Sequence, residues 1–511
     1  MLVYGDHREM ADPAERLEEI LVRLDAMAAE PAGISRHSAL VGLLIEAGQL
    51  LQGVADEGGP AEELSDFVHD LARCVLTSSD SGFAKFGELP RVPQLSGPDR
   101  VELRLPEGFA FYAVYPEAYA EAARRLTLAG IPRVIGIRSI GTSLAAIVAE
   151  ALNAPSAISV RPFGDPFARE VDLPPEIVDR EAYYVIVDEG PGMSGSSFGS
   201  VADWLEEQGV ARERIAFLPS HAGELGPQAS GRHRERWCKA QRIAAQFDRS
   251  FLEDRFGPLQ PFYGGGAWQR LKFLGTRDGE PVLIKFAGIG RIGKRKFELA
   301  RSLHSAGLTP EPIEFVHGFL VERWLSDAQP LRAGEKPIEE VARYISARAR
   351  LFPARADRGA SIGELLTMCR RNIGLAFGGE MSRRLERFDA AALEPGVRRV
   401  RTDNKLDREE WLRSPDGRLL KADAVDHHQA HDLVGCQSVE WDLAGAIEEF
   451  ELDADETARL VGVVGEADAE LLGFDRVAYA AFRLGQAVLA DDRTRAERLR
   501  QSLQHLLLEE H

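Results

Sequence analysis

Apolar positions recur every three to four residues through 13–78, in ERLEEILVRLDAMAAE, HSALVGLLIEAGQLLQGVADE and AEELSDFVHDLARCVL, the spacing of an apolar stripe along a helix. Gly-Pro and Gly-rich punctuation separates the three, so residues 1–95 are predicted to form a helical region. From 96 to 225 the period changes. Short β-prone runs (FAFYAVY at 109–115, VIGI at 134–137, AISV at 157–160, YYVIV at 183–187, IAFLPS at 215–220) alternate with helical stretches, which predicts a parallel sheet with crossover helices. The polar, charge-rich stretch 226–258 reads as a helical connector. A second composite domain, 259–511, begins with strand-like segments and finishes in helices; no internal repeat or long low-complexity tract interrupts the pattern. The fold class expected is therefore an α/β multidomain chain: a parallel-sheet domain followed by an α+β two-lobed domain, with a helical N-terminal region.

Composition narrows the function classes. At 511 residues the chain exceeds one ordinary core, and its 44% hydrophobic and 28% charged residues are those of a soluble globular enzyme. No apolar run approaches the ~18 residues of a membrane helix, and the acidic start MLVYGDHREMADPAERLEE does not read as a signal peptide, so a cytoplasmic location away from membranes is expected. The four cysteines lie far apart without a C-x-x-C pair, against both a zinc ribbon and a disulfide framework. A net charge of −19 argues against a long nucleic acid as partner, because such binding needs Lys and Arg to replace condensed counterions. Small phosphorylated substrates remain open, since backbone amides and a few local cations can hold them. The sequence leaves the oligomeric state undetermined.

The strongest chemical motif is YYVIVDEGPGMSGSSF at 183–198. A buried β-run ends at two acids, Asp188 and Glu189, which places them at the carboxyl edge of a sheet, where ligands of open α/β sheets bind. The small-residue loop that follows, then a helix start, suits a phosphate: glycine admits close backbone approach, and the amides and helix dipole favour an anion. The arrangement resembles the phosphoribosyl pyrophosphate motif of type I phosphoribosyltransferases. By that resemblance Asp188 and Glu189 hold the ribose hydroxyls and act in catalysis, while Ser194, Gly195, Ser196 and Ser197 hold the 5-phosphate. The spacing from the acids to Ser194 is about one residue longer than in common members of the family, and Met193 stands where the purine-salvage branch often has a catalytic aspartate, which disfavours that branch. VIGIRSIGTSLAAIVAEALN at 134–153 repeats the strand, loop and helix form, and the resemblance assigns Arg138, Ser139, Gly141 and Thr142 to pyrophosphate. Arg161 and Arg169, in VRPFGDPFARE, offer guanidinium groups to the departing pyrophosphate. The resemblance covers roughly 100–225.

Farther on, WQRLKFL, TRDGE and PVLIKFA read as a β-hairpin turning at Asp278-Gly279, with Lys285 near the end of its second strand and Glu298 thirteen residues later in a helix. Lysine and glutamate so placed are suited to pair and orient nucleotide phosphates. With HGFLVERWL at 317–325, these features resemble the N-lobe of kinase-fold phosphotransferases, especially the aminoglycoside and small-molecule kinase group. That resemblance implies that Asp403, in RTD at 401–403, orients the acceptor hydroxyl; Asp423, in DGRLLKADAVDH, binds magnesium; Lys285 and Glu298 serve ATP; and WDLAGA at 441–446 is a structural Asp-Leu-Ala motif. There are departures. The family's asparagine five residues after the catalytic aspartate is Arg408, so Asn404 or Asp407 is expected to substitute as a metal ligand; its His is Arg401; and Gly264, Gly265 and Gly266 make only a vague glycine-rich loop.

VDHHQAHD at 425–432 brings Asp426, His427, His428, His431 and Asp432 together, with His427 and His431 at a spacing that suits zinc, so an HD-type metal phosphohydrolase is a rival reading. The favoured reading of the histidines is a solvated loop after Asp423 or stacking on substrate. The acid-rich 448–460 reads as a solvated helical face. Together these features lead to the expectation of a bifunctional enzyme using magnesium, phosphoribosyl pyrophosphate and ATP on small-molecule substrates. The alternative from another class is a non-catalytic phosphoribosyl pyrophosphate sensor with a decayed kinase fold.

Overall fold

The computed structural model of the chain describes residues 3, 5–192, 194–263, 271–332, 334–427, 434–465 and 467–508. A two-residue-wide apolar signal too short to read opens the chain: β1 (Arg8–Ala11) pairs antiparallel with β2 (Val101–Arg104), tying the ends of the helical region together. Between them run α1 (Pro13–Ala28), α2 (Ile34–Asp56) and α3 (Glu62–Asp80). Asp12 caps α1 by accepting the amides of Ala14 and Glu15 at 2.8 and 3.2 Å. Helix α2 is apolar around its circumference and buried by its neighbours. It is long and apolar enough to cross a membrane, but 83% of its most apolar stretch is buried inside the protein.

The run 109–115, expected as β, instead spans the short helix α4 (Glu107–Phe111) and the approach to α5 (Pro116–Arg124). Pro106 and Pro116 bracket it, each beginning a helix, and Phe109, Phe111, Val114 and Tyr115 fill the core as buried helix and loop residues do; a short apolar run does not distinguish the two states. The remaining β-runs form the sheet. β3 (Pro132–Ile137), α6 (Gly141–Ala151), β4 (Ile158–Val160), the hairpin β5 (Phe163–Asp165) and β6 (Ala168–Glu170), β7 (Tyr183–Val187), α7 (Ser196–Glu207) and β8 (Ile215–Leu218) follow in order. The connector 226–258 holds α8 (Gly231–Lys239), β9 (Gln241–Arg242) and α9 (Ser250–Phe256), so it is not wholly helical: β9, two polar residues long, adds a fifth strand to the sheet. All strands of this sheet are parallel, in the order β4-β3-β7-β8-β9. Alternate residues bury on opposite faces: Val134, Val185 and Val187 pack with α2, α3 and α6, while Ile135, Tyr184 and Ile186 pack with α7 and Trp237. A Cβ at Gly48 of α2 would lie 2.8 Å from the Ser143 Cβ of α6, so glycine there permits the close crossing of the two helices.

The rest of the chain is two-lobed. β10 (Gln260–Pro261), β11 (Lys272–Arg277), β12 (Glu280–Phe286), β13 (Pro312–Val316) and β14 (Phe319–Arg323) make an antiparallel sheet in the order β10-β11-β12-β14-β13, with α10 (Arg291–Ser305) packed on it. After β15 (Gln329–Pro330) the second lobe comprises α11 (Ile338–Leu351), α12 (Ile362–Phe377), α13 (Gly379–Arg383), α14 (Ala390–Leu393), β16 (Trp411–Arg413), β17 (Leu419–Lys421), α15 (Val439–Phe450), α16 (Ala454–Val464), α17 (Ala469–Leu489) and α18 (Arg493–Leu508). β15, β16 and β17 form a small antiparallel sheet at the junction of the lobes. In 448–460, Glu448 and Glu449 are buried rather than solvated: Arg476 holds Glu448 at 3.1 Å, and Arg498 holds Glu449 at 2.9 Å.

Three regions meet at one buried acid. Glu117 of α5 accepts from His37 Nε2 of α2 at 2.5 Å and lies 3.2 Å from His317 Nε2, in the turn between β13 and β14. Ser78 fixes the other nitrogen of His37 at 2.9 Å, and Tyr115 donates to the His317 carbonyl at 2.6 Å. Burial alone would raise the Glu117 carboxyl, but the two imidazoles hold it well below the usual range. Glu117→Gln should therefore lower unfolding free energy by about 3 kcal/mol in urea titrations at neutral pH, because breaking a buried pair leaves its partners uncompensated; an unchanged midpoint would show that the junction holds without the charge.

Candidate functional site

The strand order β4-β3-β7-β8-β9 reverses direction between β3 and β7, the first and third strands of the parallel sheet, and that switch point is where ligands enter sheets of this order. The loops after these two strands contain the residues singled out from sequence. Asp188 and Glu189 follow β7 directly. Asp188 accepts the amide of Glu189 at 2.8 Å, and Glu189 accepts the amide of Gly108 at 2.8 Å, at the start of α4. Burial pushes Asp188 up to about 7, with Arg161 opposing, and Glu189 up to about 8, helped by the charge of Asp188. Two acids so perturbed in a cleft are poised for hydroxyl donors or a cation.

Gly195 caps α7 in a left-handed conformation (φ 62°), and a Cβ there would strike the Leu225 side chain at 2.5 Å, so the turn into the helix requires glycine. Ser194 and Ser196 point their hydroxyls at the Pro166 carbonyl, at 3.3 and 2.8 Å, so the tip of the β5–β6 hairpin rests on this loop. Ser197 begins α7 beside them, and Arg169 on the hairpin donates to Gly164 at 3.3 Å. Met193 lies outside the described residues. Arg138, after β3, and Arg161, after β4, are both held by Asp56 from the end of α2, at 3.0 and 2.5 Å, and Arg161 also donates to the Arg138 carbonyl at 3.0 Å and approaches Ser139 Oγ at 3.4 Å. Gly141 starts α6. Thr142 does not join the group: its side chain faces a small cavity of 240 Å³ against α3, lined by Ser65 and His69.

In the C-terminal unit, the Asp278-Gly279 turn sets a register in which Lys272 of β11 sits opposite Lys285 of β12. Like charges across a strand pair repel. Asp423, just beyond β17, lies between them, 3.2 Å from Lys272 and 3.6 Å from Lys285. Glu322 of β14 completes the group at 3.0 Å from Lys285. Burial opposes the charge on Lys285, but Glu322 and Asp423 more than offset it and hold the ammonium protonated; the lysines likewise hold Asp423 well below the usual carboxylate range despite burial. Asp403 is fully buried. Tyr344 donates to one of its oxygens, His427 Nδ1 lies 2.8 Å from the other, and Lys421 is 3.6 Å away. Asp442, of the Asp-Leu-Ala motif, accepts the amides of Asp403 and Asn404 at 2.8 and 3.0 Å and so fixes the loop; burial and the nearby Asp403 push its own carboxyl up to about 6.

Three expected partners lie elsewhere. Glu298 is exposed on the outer face of α10, and Lys296, one helical step away, points inward to Asp426 at 2.9 Å. Asn404 spends its side chain on Thr402 and the Gly435 carbonyl, at 2.8 and 2.7 Å. Asp407, expected as a metal ligand, is bound by Arg483 and Arg495 at 2.7 and 2.5 Å. Arg408 donates to the carbonyls of Arg332 and Glu335, both at 2.9 Å. Gly264, Gly265, Gly266, His428, His431 and Asp432 lie outside the described residues.

Among the described residues, two groups of side chains have the spacing to hold a metal ion: Glu410, Asp423 and His427, and His37, Glu117 and His317. In the second the carboxylate is already engaged by both imidazoles. In the first, Asp423 Oδ1 is buried without a hydrogen-bond donor, which suits a cation. Lys272, Glu322, Lys296, Glu410 and Tyr344 were not anticipated. Of these only Lys272 was readable, by counting back from the Asp-Gly turn.

No protein-family model and no curated protein matches the sequence. About half of the chain is similar to solved kinase-fold structures. A choline kinase from Streptococcus pneumoniae is 16% identical, with a TM-score of 0.37 over 50% of this chain and 97% of that one. A choline/ethanolamine kinase family protein from Mesorhizobium loti is 19% identical, with a TM-score of 0.33 over 51% and 91%. A spectinomycin phosphotransferase in complex with ADP and spectinomycin is 13% identical, with a TM-score of 0.36 over 50% and 92%.

The raised acids at the parallel sheet make a stability prediction. A carboxyl whose folded value exceeds its unfolded one favours folding while protonated, and that advantage is lost as pH rises from about 4 through 7. Asp188→Asn should thus stabilise the ligand-free chain by about 1–2 kcal/mol at pH 8.5 after allowance for solvent, and by roughly a third of that at pH 5. Denaturation curves at both pH values test it; equal effects would show that Asp188 is not ionised against a cost.

Proposed function

We propose that the C-terminal unit is a nucleotide-dependent phosphotransferase for a small molecule. The observation that carries this is the convergence of Lys272 and Lys285 on Asp423, beside the loop of Asp403. Two cross-strand lysines need anionic neighbours, and the phosphates of ATP supply them as well as Asp423 and Glu322 do. Asp423, with Glu410 or His427, would hold the divalent cation, which when bound neutralises charge on the transferring phosphoryl group. Asp403 is the group to orient an acceptor hydroxyl, once His427 turns from it to admit substrate. Mg-dependent ATP consumption with a panel of small-molecule acceptors should fall at least about 100-fold in Asp423→Ala and in Lys285→Ala. Turnover that survives Asp423→Ala sinks the assignment.

A specific observation also favours phosphoribosyl pyrophosphate binding at the parallel sheet: Asp188, Glu189 and the Gly195 loop share the switch point with Ser139 and Arg161. The acids would accept the ribose hydroxyls, and Ser194, Ser196 and Ser197 would take the 5-phosphate as the Pro166 carbonyl withdraws. A nucleophile then attacks ribose C1 and pyrophosphate departs toward Arg161 and Arg138. Because only ionised carboxylates accept both hydroxyls, affinity should tighten about tenfold between pH 6 and pH 8.5, as Asp188 and Glu189 lose their protons. Calorimetry with phosphoribosyl pyrophosphate and magnesium would read this, with Asp188→Asn weakening binding at least about tenfold. Binding that ignores both pH and the substitution rules out these acids as the ribose site, and binding without pyrophosphate release supports a sensor.

A further inference from the structure

A cavity of 840 Å³ lies apart from both sites, walled by α1, the middle of α2, the start of α10 and the loops at 353–358 and 401. Its volume falls within the usual range of small-molecule pockets. Eight arginines and seven carboxylates line it, and four of the guanidinium groups come from separate segments: Arg16 of α1, Arg295 of α10, Arg358 and Arg401. Two are neutralised within the chain. Glu9 lies 3.1 Å from Arg16 and 3.2 Å from Arg358. Of the other acids on the wall, Glu19 is engaged by Arg16, Glu46 by Arg23, Asp12 by the first amides of α1 and Asp6 by the Gly359 amide. Arg295 and Arg401 have no side-chain hydrogen bond or ion pair among the described residues. Burial, with the charges of Arg401, Arg16 and Arg358, pulls Arg295 below the ordinary arginine range, while Glu9 opposes. Two guanidinium groups without a side-chain partner among the described residues, close enough to repel, would both be favoured by an anion placed between them.

We propose that this cavity binds a small molecule bearing a pyrophosphate or two phosphate groups, gripped by the guanidinium forks of Arg295 and Arg401. Planar forks match phosphate oxygens in pairs, and two unpaired forks match a doubly charged group better than a single carboxylate. Apolar residues on the same wall, Ile45, Leu103, Ile289 and Ile292, leave room for a less polar body. The ligand would bridge α1 and the segment that leads into Asp403. That segment is rigid: Arg348 donates to the carbonyls of Arg401 and Thr402 at 2.8 and 3.0 Å.

Pyrophosphate is the probe, titrated calorimetrically into the full chain at about 0.15 M salt, where exposed charges are screened. Arg295→Ala and Arg401→Ala should each weaken binding about tenfold or more, while Arg161→Ala, at the parallel-sheet loop, leaves this component unchanged. Because each alanine removes a repulsion, both variants should fold with an unliganded melting temperature no lower than that of the original chain, yet lose the rise that pyrophosphate produces. Arg→Lys at either position keeps the charge and removes the fork, and should bind with intermediate affinity. Pyrophosphate affinity unchanged in both alanine variants, or abolished by Arg161→Ala alone, overturns the proposal.

Discussion

Apolar residues occur on every face of α2, so no arrangement leaves it at a surface without exposing hydrocarbon, and covering it takes α1, α3, β2, α6 and the edge of the C-terminal sheet. The three regions of the chain therefore share one core rather than meeting across a wet interface. Each polar group that α2 retains must find a partner on whatever covers it. His37 meets Glu117, Glu46 meets Arg23, and Asp56 meets Arg138 and Arg161. The ends of one buried helix thus touch the switch point of the parallel sheet on one side and the C-terminal unit on the other.

Charge in the C-terminal cleft is balanced by the same logic on a smaller scale. Lys272, Lys285, Lys405 and Lys421 are interleaved with Asp423, Glu322, Glu410 and Asp403, and no member is tolerable without the others. Such a cluster stabilises little by itself, since desolvation offsets most of the attraction. Its value is that any anion or cation entering the cleft finds counter-charges already oriented, and that exchanging Glu322 or Asp423 for a phosphate leaves the balance intact. The closure of Asp403 by Tyr344 and His427 belongs to this balance: an isolated buried carboxylate would otherwise take up a proton.

How much of this was legible follows from where the information lies. Strand ends with acids and glycine loops are local patterns, so Asp188, Glu189 and Asp423 could be put at sheet edges from sequence, whereas the strand order rests on pairings between distant segments. The Lys285 partner was not legible, because Glu298 and Lys296 differ by half a helical turn and only the packing of α10 on its sheet decides which faces inward. Glu322 reaches Lys285 diagonally across a strand pair, a relation that depends on register. Asn404 and Asp407 have suitable side chains at suitable spacing, yet Gly435, Arg483 and Arg495, which claim them, come from far along the chain. β1 and β9 were missed because strands of four and two residues are too short to carry a periodicity of their own.

The switch point of the parallel sheet shows what the N-terminal region contributes. Arg161 is near enough to Asp188 to oppose the rise of its carboxyl, and a direct salt bridge would have lowered it further. Asp56 intercepts the arginines instead, its carboxyl held below the usual range despite burial, while Asp188 and Glu189 are left raised. A residue of the helical region thus holds two guanidinium groups of the α/β loops. Any anion drawn to these guanidinium groups would have to compete with Asp56, and any group that needs Asp188 and Glu189 ionised would have to offset the desolvation that now keeps them raised.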